Sequence, residues 1–136
     1  MIKTIVKDVF FLGQKSTEAT KEDLYLAKDL RDTLEFHKDA CVGMAANMIG
    51  VKKRVIIVNI GFVNLVMFNP ILVSKSSPFQ TEESCLPLEG SRPTKSYESI
   101  EVAYLDEQWM PTQLSFSGMP AQIIQHELDH LEGIII

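Results

Sequence analysis

The sequence predicts an α+β fold in which short antiparallel β-sheets pack around a central helix that carries two histidines, with an amphipathic helix near the N-terminus. Three observations predict it: apolar residues at helical spacing early in the chain, paired β-branched runs in its middle, and helical spacing again near its end. Strands grouped between two separate helices are typical of the α+β class, because a parallel sheet would need strands and helices to alternate along the chain.

The first predicted helix covers residues 21–38. Thr20 stands at the expected N-cap, and acidic residues follow it in the first turn. Apolar residues then recur at helical spacing: Leu24, Ala27, Leu30 and Leu34. The helix is therefore expected to place one face against the core and to expose ordinary solvated charge on the other.

A hairpin is predicted after this helix. Residues 54–60 and residues 63–68 are two apolar, mostly β-branched runs, and Gly61 offers the turn between them. The Asn-Pro pair at 69–70 is expected to break the chain before a further short extended run at 71–73.

A second pair of strands and a final helix complete the prediction. Residues 99–105 and 110–116 flank a polar turn at 106–108. The last helix is expected to begin near Pro120, since proline is favoured in a first turn, and to end at Gly133.

Length and composition indicate a single domain, residues 1–136. At 46% hydrophobic and 23% charged residues, the chain can bury a core without disulfides. No run approaches the roughly 18 apolar residues of a membrane span, the first eight residues mix charge with apolar residues unlike a secretion signal, and two cysteines fit a reducing cytoplasm. A net charge of -5 argues against nucleic acid as a direct partner.

The most informative stretch is the His-Glu-x-x-His pattern of the last predicted helix, formed by His126, Glu127 and His130. Residues at i and i+4 share one helical face, so both imidazoles can converge on one metal ion with Glu127 beside it. The alternative is a solvated helix with two surface histidines. Apolar neighbours favour the buried metal helix: Ile123, Ile124, Leu128 and Leu131.

A third metal ligand is expected from upstream, because only six residues follow His130 and Glu132 faces away from the histidines. The candidates are Cys85, Cys41 and His37. Cys85 is favoured, since it lies in a turn-rich segment of the kind that often carries ligands. Cys41 opens an apolar run, where a cysteine is more often a small buried hydrophobe.

Three separated motifs resemble those of the peptide deformylase family. Residues 41–48 (CVGMAANM), 83–87 (ESCLP) and 125–130 (QHELDH) follow the order and spacing of the family motifs G-Φ-G-Φ-A-A-x-Q, E-G-C-L-S and Q-H-E-x-D-H. The third motif matches fully. The first two depart from the family pattern at Cys41, Met48, Ser84 and Pro87.

The resemblance implies a metal site made of Cys85, His126 and His130. It implies that Glu127 is the acid/base that takes a proton from the attacking water and returns one to the leaving amine. The family's usual metal is Fe2+, and the same ligands would accept Zn2+, Ni2+ or Co2+. The backbone N–H of Leu86 is the implied donor to the oxyanion.

The residues 42–44 are interpreted as an edge segment that can pair with an extended peptide through its main chain. The implied pocket for a leading methionine is walled by Val42, Leu86, Ile123 and His126, while Val42, Gly43 and Met44 supply the pairing. In the family, a glutamine donates its side-chain amide to the oxyanion; Met48 stands in its place and has no hydrogen-bond donor. Asn47, on an extended backbone, would point to the opposite face.

The implied function is that of a metallohydrolase acting on a linear amide. It would remove the N-formyl group from the N-terminal methionine of newly made polypeptides, with N-formylmethionyl peptides as partners and no membrane. Met48 leaves two alternatives open: hydrolysis of another small N-acyl amide, or a homologue that binds peptides but turns them over weakly.

Overall fold

The computed structural model of the protein describes residues 2–84 and 91–134, with the side chains of 79–84 and 91–96 left out. The strands are β1 Gly43–Ala45, β2 Val55–Asn59, β3 Asn64–Ser84, β4 Ser91–Leu105 and β5 Pro111–Ser117. The α-helices are α1 Val9–Leu12, α2 Leu26–Phe36 and α3 Met119–Leu131. The strands form one antiparallel sheet in the order β1-β2-β3-β4-β5, which confirms the predicted α+β class.

The sheet lies between two helices, and each helix has its own core. On one face, α2 buries its leucines against Met44, Ile57, Val66 and Phe68. On the other face, α3 buries Ala121, Ile124 and Leu131 against Ala45, Ile56, Val58 and Met67. Because side chains alternate along a strand, β2 feeds both cores, which explains why its sequence is an unbroken apolar run.

The predicted helix over 21–38 is divided in the structure. Its first turn is a 3-10 helix, Lys21–Tyr25, and α2 follows it and ends at Phe36. The backbone N–H of Thr20 donates to the Asp23 carboxylate at 2.8 Å. The Asp23 N–H in turn donates to the Thr20 carbonyl at 2.9 Å, an i to i+3 bond that tightens this turn.

The expected break at 69–70 was wrong, because β3 runs without interruption through it. The register with β4 shifts between Phe68 and Ile71, so Pro70 lies in a bulge, where its missing N–H costs no ladder bond. Asn69 takes a left-handed φ of 52°. Its side chain accepts from the Ala19 N–H at 2.8 Å and donates to the Ala19 carbonyl at 3.0 Å, which stabilises the bulge.

The second strand pair was predicted with its correct turn, but its first strand, β4, was predicted too short. β4 begins at Ser91, eight residues before the predicted start at 99, because the continuous β3 provides it with a partner. The turn is held by Asp106, whose carboxylate accepts from the backbone N–H groups of Gln108 and Met110. Trp109 has a positive φ of 61° there.

Two single-turn helices carried no sequence signal and were not predicted: α1 and the 3-10 helix Ala46–Ile49. Elements this short cannot show a full helical period. No helix in the described part of the chain is long and apolar enough to cross a membrane.

The final helix agrees with its prediction at both ends. Pro120 lies in its first turn, and Gly133, with a φ of 77°, follows the C-cap residue Glu132. The Gly133 N–H donates to the His130 carbonyl and the Ile134 N–H to the Asp129 carbonyl, each at 3.0 Å. These two bonds are the Schellman arrangement, in which a left-handed glycine closes the end of a helix.

We expect Gly133→Ala to destabilise the protein by about 2–5 kcal/mol. A left-handed backbone costs a residue with a Cβ about 1–2 kcal/mol, and overpacking adds about 1–3 kcal/mol. The added carbon would lie 2.5 Å from the carbonyl oxygen of Gly13. Denaturant unfolding followed by circular dichroism measures the loss.

Gly50→Ala is the matched control, because Gly50 also has a positive φ, of 89°, but its added carbon would meet nothing closer than Val6 Cγ2 at 3.8 Å. Gly50→Ala should lose only the stability that the left-handed backbone costs, about 1–2 kcal/mol. Equal losses in the two variants would contradict a steric requirement at Gly133.

Candidate active site

The two histidines of α3 point their ring nitrogens at each other. His126 Nε2 and His130 Nε2 lie 3.2 Å apart, and the ring planes meet at 71°. Two nitrogens bound at about 2.0–2.1 Å to one tetrahedral ion lie roughly 3.3–3.4 Å apart. The observed spacing therefore fits a single metal ion between the two rings.

His130 is buried, and its burial determines the charge of its ring. The residue is 1% exposed. Desolvation, with a smaller contribution from the neighbouring charge of His126, lowers the pKa of His130 to about 4. At neutral pH its ring is therefore neutral, the form that binds metals.

Glu127 lies against the main chain of β1. A Cβ built on Gly43 would stand 3.1 Å from Glu127 Oε2, 2.8 Å from Ile123 Cγ2 and 3.2 Å from the Ile57 carbonyl oxygen. Only glycine leaves this space, so α3 can approach the strand closely. The approach places a buried carboxylate, 3% exposed, one residue from His126 and beside the edge strand.

Among the side chains that the structure describes, no three His, Cys, Asp or Glu residues form a group that could hold a metal. A three-ligand site therefore needs a ligand from elsewhere in the chain. The favoured ligand, Cys85, lies outside the described residues, as do Leu86 and Pro87. The alternative His37 caps the C-terminus of α2, where its ring packs edge-on against Phe36.

Cys41 is a half-buried thiol packed against the core beneath α2. Burial raises the pKa of Cys41 to about 11, and the charge of Glu127 adds to the rise. The thiol donates to the Gly43 carbonyl, with Sγ and the oxygen 2.8 Å apart. A thiol with this pKa is protonated at neutral pH and is a poor ligand. The interpretation of Cys41 as a small buried residue agrees with this environment.

β1 is an edge strand. It pairs with β2 through Gly43↔Val58 and Met44↔Ile57, and no other strand of the described residues lies beside it. Met44 is fully buried on the α2 side, so it can offer only its main chain to a ligand. Val42 is half exposed just before the strand, and Ile123 contacts Gly43 from α3.

Gln125 ties α3 to β4, a role that was not predicted although the residue belongs to the third motif. Its side-chain oxygen accepts from the Tyr97 N–H, and its amide donates to the Tyr97 carbonyl, each at 2.8 Å. The amide also donates to the Ala121 carbonyl at 2.9 Å. Gln125 thus pairs with Tyr97 as a neighbouring strand would, and its place just before His126 was the available signal.

Comparison with known proteins agrees with this geometry. The sequence pattern of the polypeptide deformylase family matches residues 3–136. The chain belongs to this family. It is 57% identical to a peptide deformylase of Clostridium beijerinckii over 136 residues, all of both chains.

Solved deformylase structures share the fold. An actinonin-bound class I type b peptide deformylase from Acinetobacter baumannii is 32% identical, with a TM-score of 0.87 over 99% of this chain and 95% of that one. A Met-Ala-Ser-bound structure of the Acinetobacter baumannii enzyme is 30% identical, with a TM-score of 0.87 over 99% of this chain and 96% of that one.

Within the deformylase pattern, the first motif departs at Met48. The assumption that this segment is extended was wrong, because Ala46–Ile49 forms a 3-10 turn. Met48 is 2% exposed, and its sulfur lies 3.4 Å from the Ala45 N–H as an acceptor. The Asn47 amide donates to the His130 carbonyl at 2.9 Å and so is directed at the end of α3.

Proposed function

We propose that the protein is a peptide deformylase, which removes the formyl group from the N-terminal methionine of newly made polypeptides. Water adds to the formyl carbon, the C–N bond breaks, and formate and a free amine leave. The observation that carries the proposal is the convergent histidine pair beside a buried Glu127. The full-length likeness to a deformylase supports it. We propose that residues 1–136 act as one domain in the cytoplasm, where nascent chains are made.

Deformylases use a divalent metal. We propose Fe2+, held by His126, His130 and Cys85, while Zn2+, Ni2+ and Co2+ suit the same ligands. The 3.2 Å spacing and the neutral ring of His130 support this ligand set. A metal held there would supply a Lewis acid for the formyl carbonyl and would lower the pKa of the attacking water.

Glu127 is proposed to transfer the protons. Its carboxylate accepts one from the attacking water and later delivers one to the amine nitrogen as the C–N bond breaks. The position supports this role: the carboxylate lies against Gly43 on the edge strand, next to the histidines but one helical position away from their shared face.

The substrate is proposed to add to the edge of β1 as an extended N-formylmethionyl peptide. Main-chain pairing along residues 42–44 accounts for tolerance of sequence after the methionine. Ile123, which faces Gly43 from α3, would wall the methionine pocket together with Val42, Leu86 and His126. The oxyanion formed when water adds would accept a hydrogen bond from the backbone N–H of Leu86. The net charge of -5 argues against nucleic acid as a direct partner.

Glu127→Gln tests the chemistry. The variant should keep its metal, because Glu127 is not a ligand, and should hydrolyse a formyl-methionyl peptide roughly 100- to 10,000-fold more slowly. The assay uses iron-loaded protein purified without oxygen, with acetyl-methionyl peptide as the competing amide. Wild-type turnover in the variant would remove Glu127 from the mechanism, and preference for the acetyl peptide would contradict deformylation.

Cys85→Ser tests the third ligand. It should lose most of the bound metal, because a neutral hydroxyl is a far weaker ligand than a thiolate. Cys41→Ser is the matched control and should retain it, since the Cys41 thiol is protonated. Elemental analysis of the two purified variants decides. Equal metal in the wild type and Cys85→Ser would overturn the assignment.

Met48→Gln tests the departure from the family motif. If the missing amide limits turnover, the variant should raise kcat by up to about two or three orders of magnitude, with little change in KM. Met48→Leu, which adds no donor, should leave kcat where it is. Steady-state kinetics with a formyl-methionyl peptide decides. An unchanged kcat in Met48→Gln would show that the site has another donor. That donor would not be Asn47, because its amide is directed at α3.

A further inference from the structure

Asn47 connects the first motif to the third across 83 residues of sequence. Its side chain is completely buried, and its amide nitrogen lies 2.9 Å from the carbonyl oxygen of His130. The bond reaches the backbone of His130, whose ring nitrogen forms half of the histidine pair. Asn47 therefore contacts the metal-binding helix without facing the proposed metal.

The histidine that Asn47 contacts is the one that most needs external support. The last four carbonyls of a helix have no partner within it, and helix ends fray. His130 lies in the last turn of α3, whereas His126 lies a full turn earlier. Partners from outside the helix close this end: Asn47 and Gly133 donate to the His130 carbonyl, and the Ser16 N–H donates to the Leu131 carbonyl at 2.8 Å.

Stability alone does not account for an asparagine at this position. Its side-chain oxygen is buried, and no donor among the described residues reaches it. A buried acceptor without a partner costs stability, so an apolar side chain of similar volume would suit the core as well. What an apolar side chain cannot supply is the bond to the His130 carbonyl.

We infer that Asn47 is a positioning residue for His130: its amide fixes the last turn of α3, so that the His130 ring nitrogen stays in register with that of His126. The inference rests on the proposed function, in which these nitrogens hold the metal. Fraying of the last turn would separate the two nitrogens and weaken metal binding, while β1 and the proposed peptide pairing would be unaffected.

The test compares wild type with Asn47→Leu, which keeps the branching and the number of side-chain heavy atoms and removes the donor. Both are loaded with Co2+, whose visible absorption reports ligand geometry. The variant should release Co2+ to excess chelator about ten-fold faster and show altered absorption bands, as expected when support of a metal ligand is lost. Its kcat should fall about ten-fold, with KM for a formyl-methionyl peptide within about two-fold of wild type.

Thr33→Val is the matched control. Thr33 is also fully buried, and its hydroxyl accepts from the Lys3 N–H at 2.9 Å, but it lies on α2, across the sheet from α3. Its substitution also removes a buried polar group, and it should leave Co2+ release and the absorption bands unchanged. If Asn47→Leu does not fold, Asn47→Ser, whose hydroxyl is too short to reach the carbonyl, takes its place.

Co2+ release and absorption equal to wild type in the folded Asn47 variant would overturn the positioning role, even if the variant unfolds more easily. Equal changes in Thr33→Val would overturn it as well, because they would show a general effect of core polarity. Wild-type protein that neither retains Co2+ nor hydrolyses the formyl peptide would overturn the proposed function together with the inference.

Discussion

The close approach of α3 to β1 at Gly43 is the contact on which the rest of the site depends. A single added methyl group there would meet a side chain of α3, a carboxylate oxygen and a strand carbonyl at once. Overpacking of this kind costs about 1–3 kcal/mol and pushes elements apart. Because the helix lies so near the edge strand, Glu127 and Ile123 reach the main chain of β1. Gly43 therefore determines how closely Glu127 approaches the edge strand.

The position of α3 is then fixed along its length by polar contacts to three other segments. Gln125 pairs with the backbone of Tyr97 on β4. This pairing fixes the rotation of the helix about its axis one residue before His126. Asn47 and Ser16 hold the carbonyls at its C-terminus. A helix that bears a pair of metal-binding side chains must be held in rotation as well as in distance, because rotation moves the two rings unequally.

Burial favours the neutral form of two groups, the ring of His130 and the thiol of Cys41. It keeps His130 neutral, which makes its ring nitrogen available to a metal. It also keeps the thiol of Cys41 protonated, with Glu127 reinforcing that state. Low-dielectric surroundings therefore favour the neutral histidine as a ligand and disfavour the protonated thiol of Cys41.

What the sequence by itself determined was local. The limits of α3, the shared face of His126 and His130, and the α+β class follow from helical spacing and from a proline and a glycine at the helix ends, since such signals act within a few residues. Only the tertiary structure decided that β3 continues through the Asn69 bulge, because the stabilising partner, Ala19, lies 50 residues away. It likewise decided the role of Asn47, whose partner is 83 residues away. A hydrogen bond between distant segments leaves no periodic trace in the sequence, and only folding brings its two groups within reach.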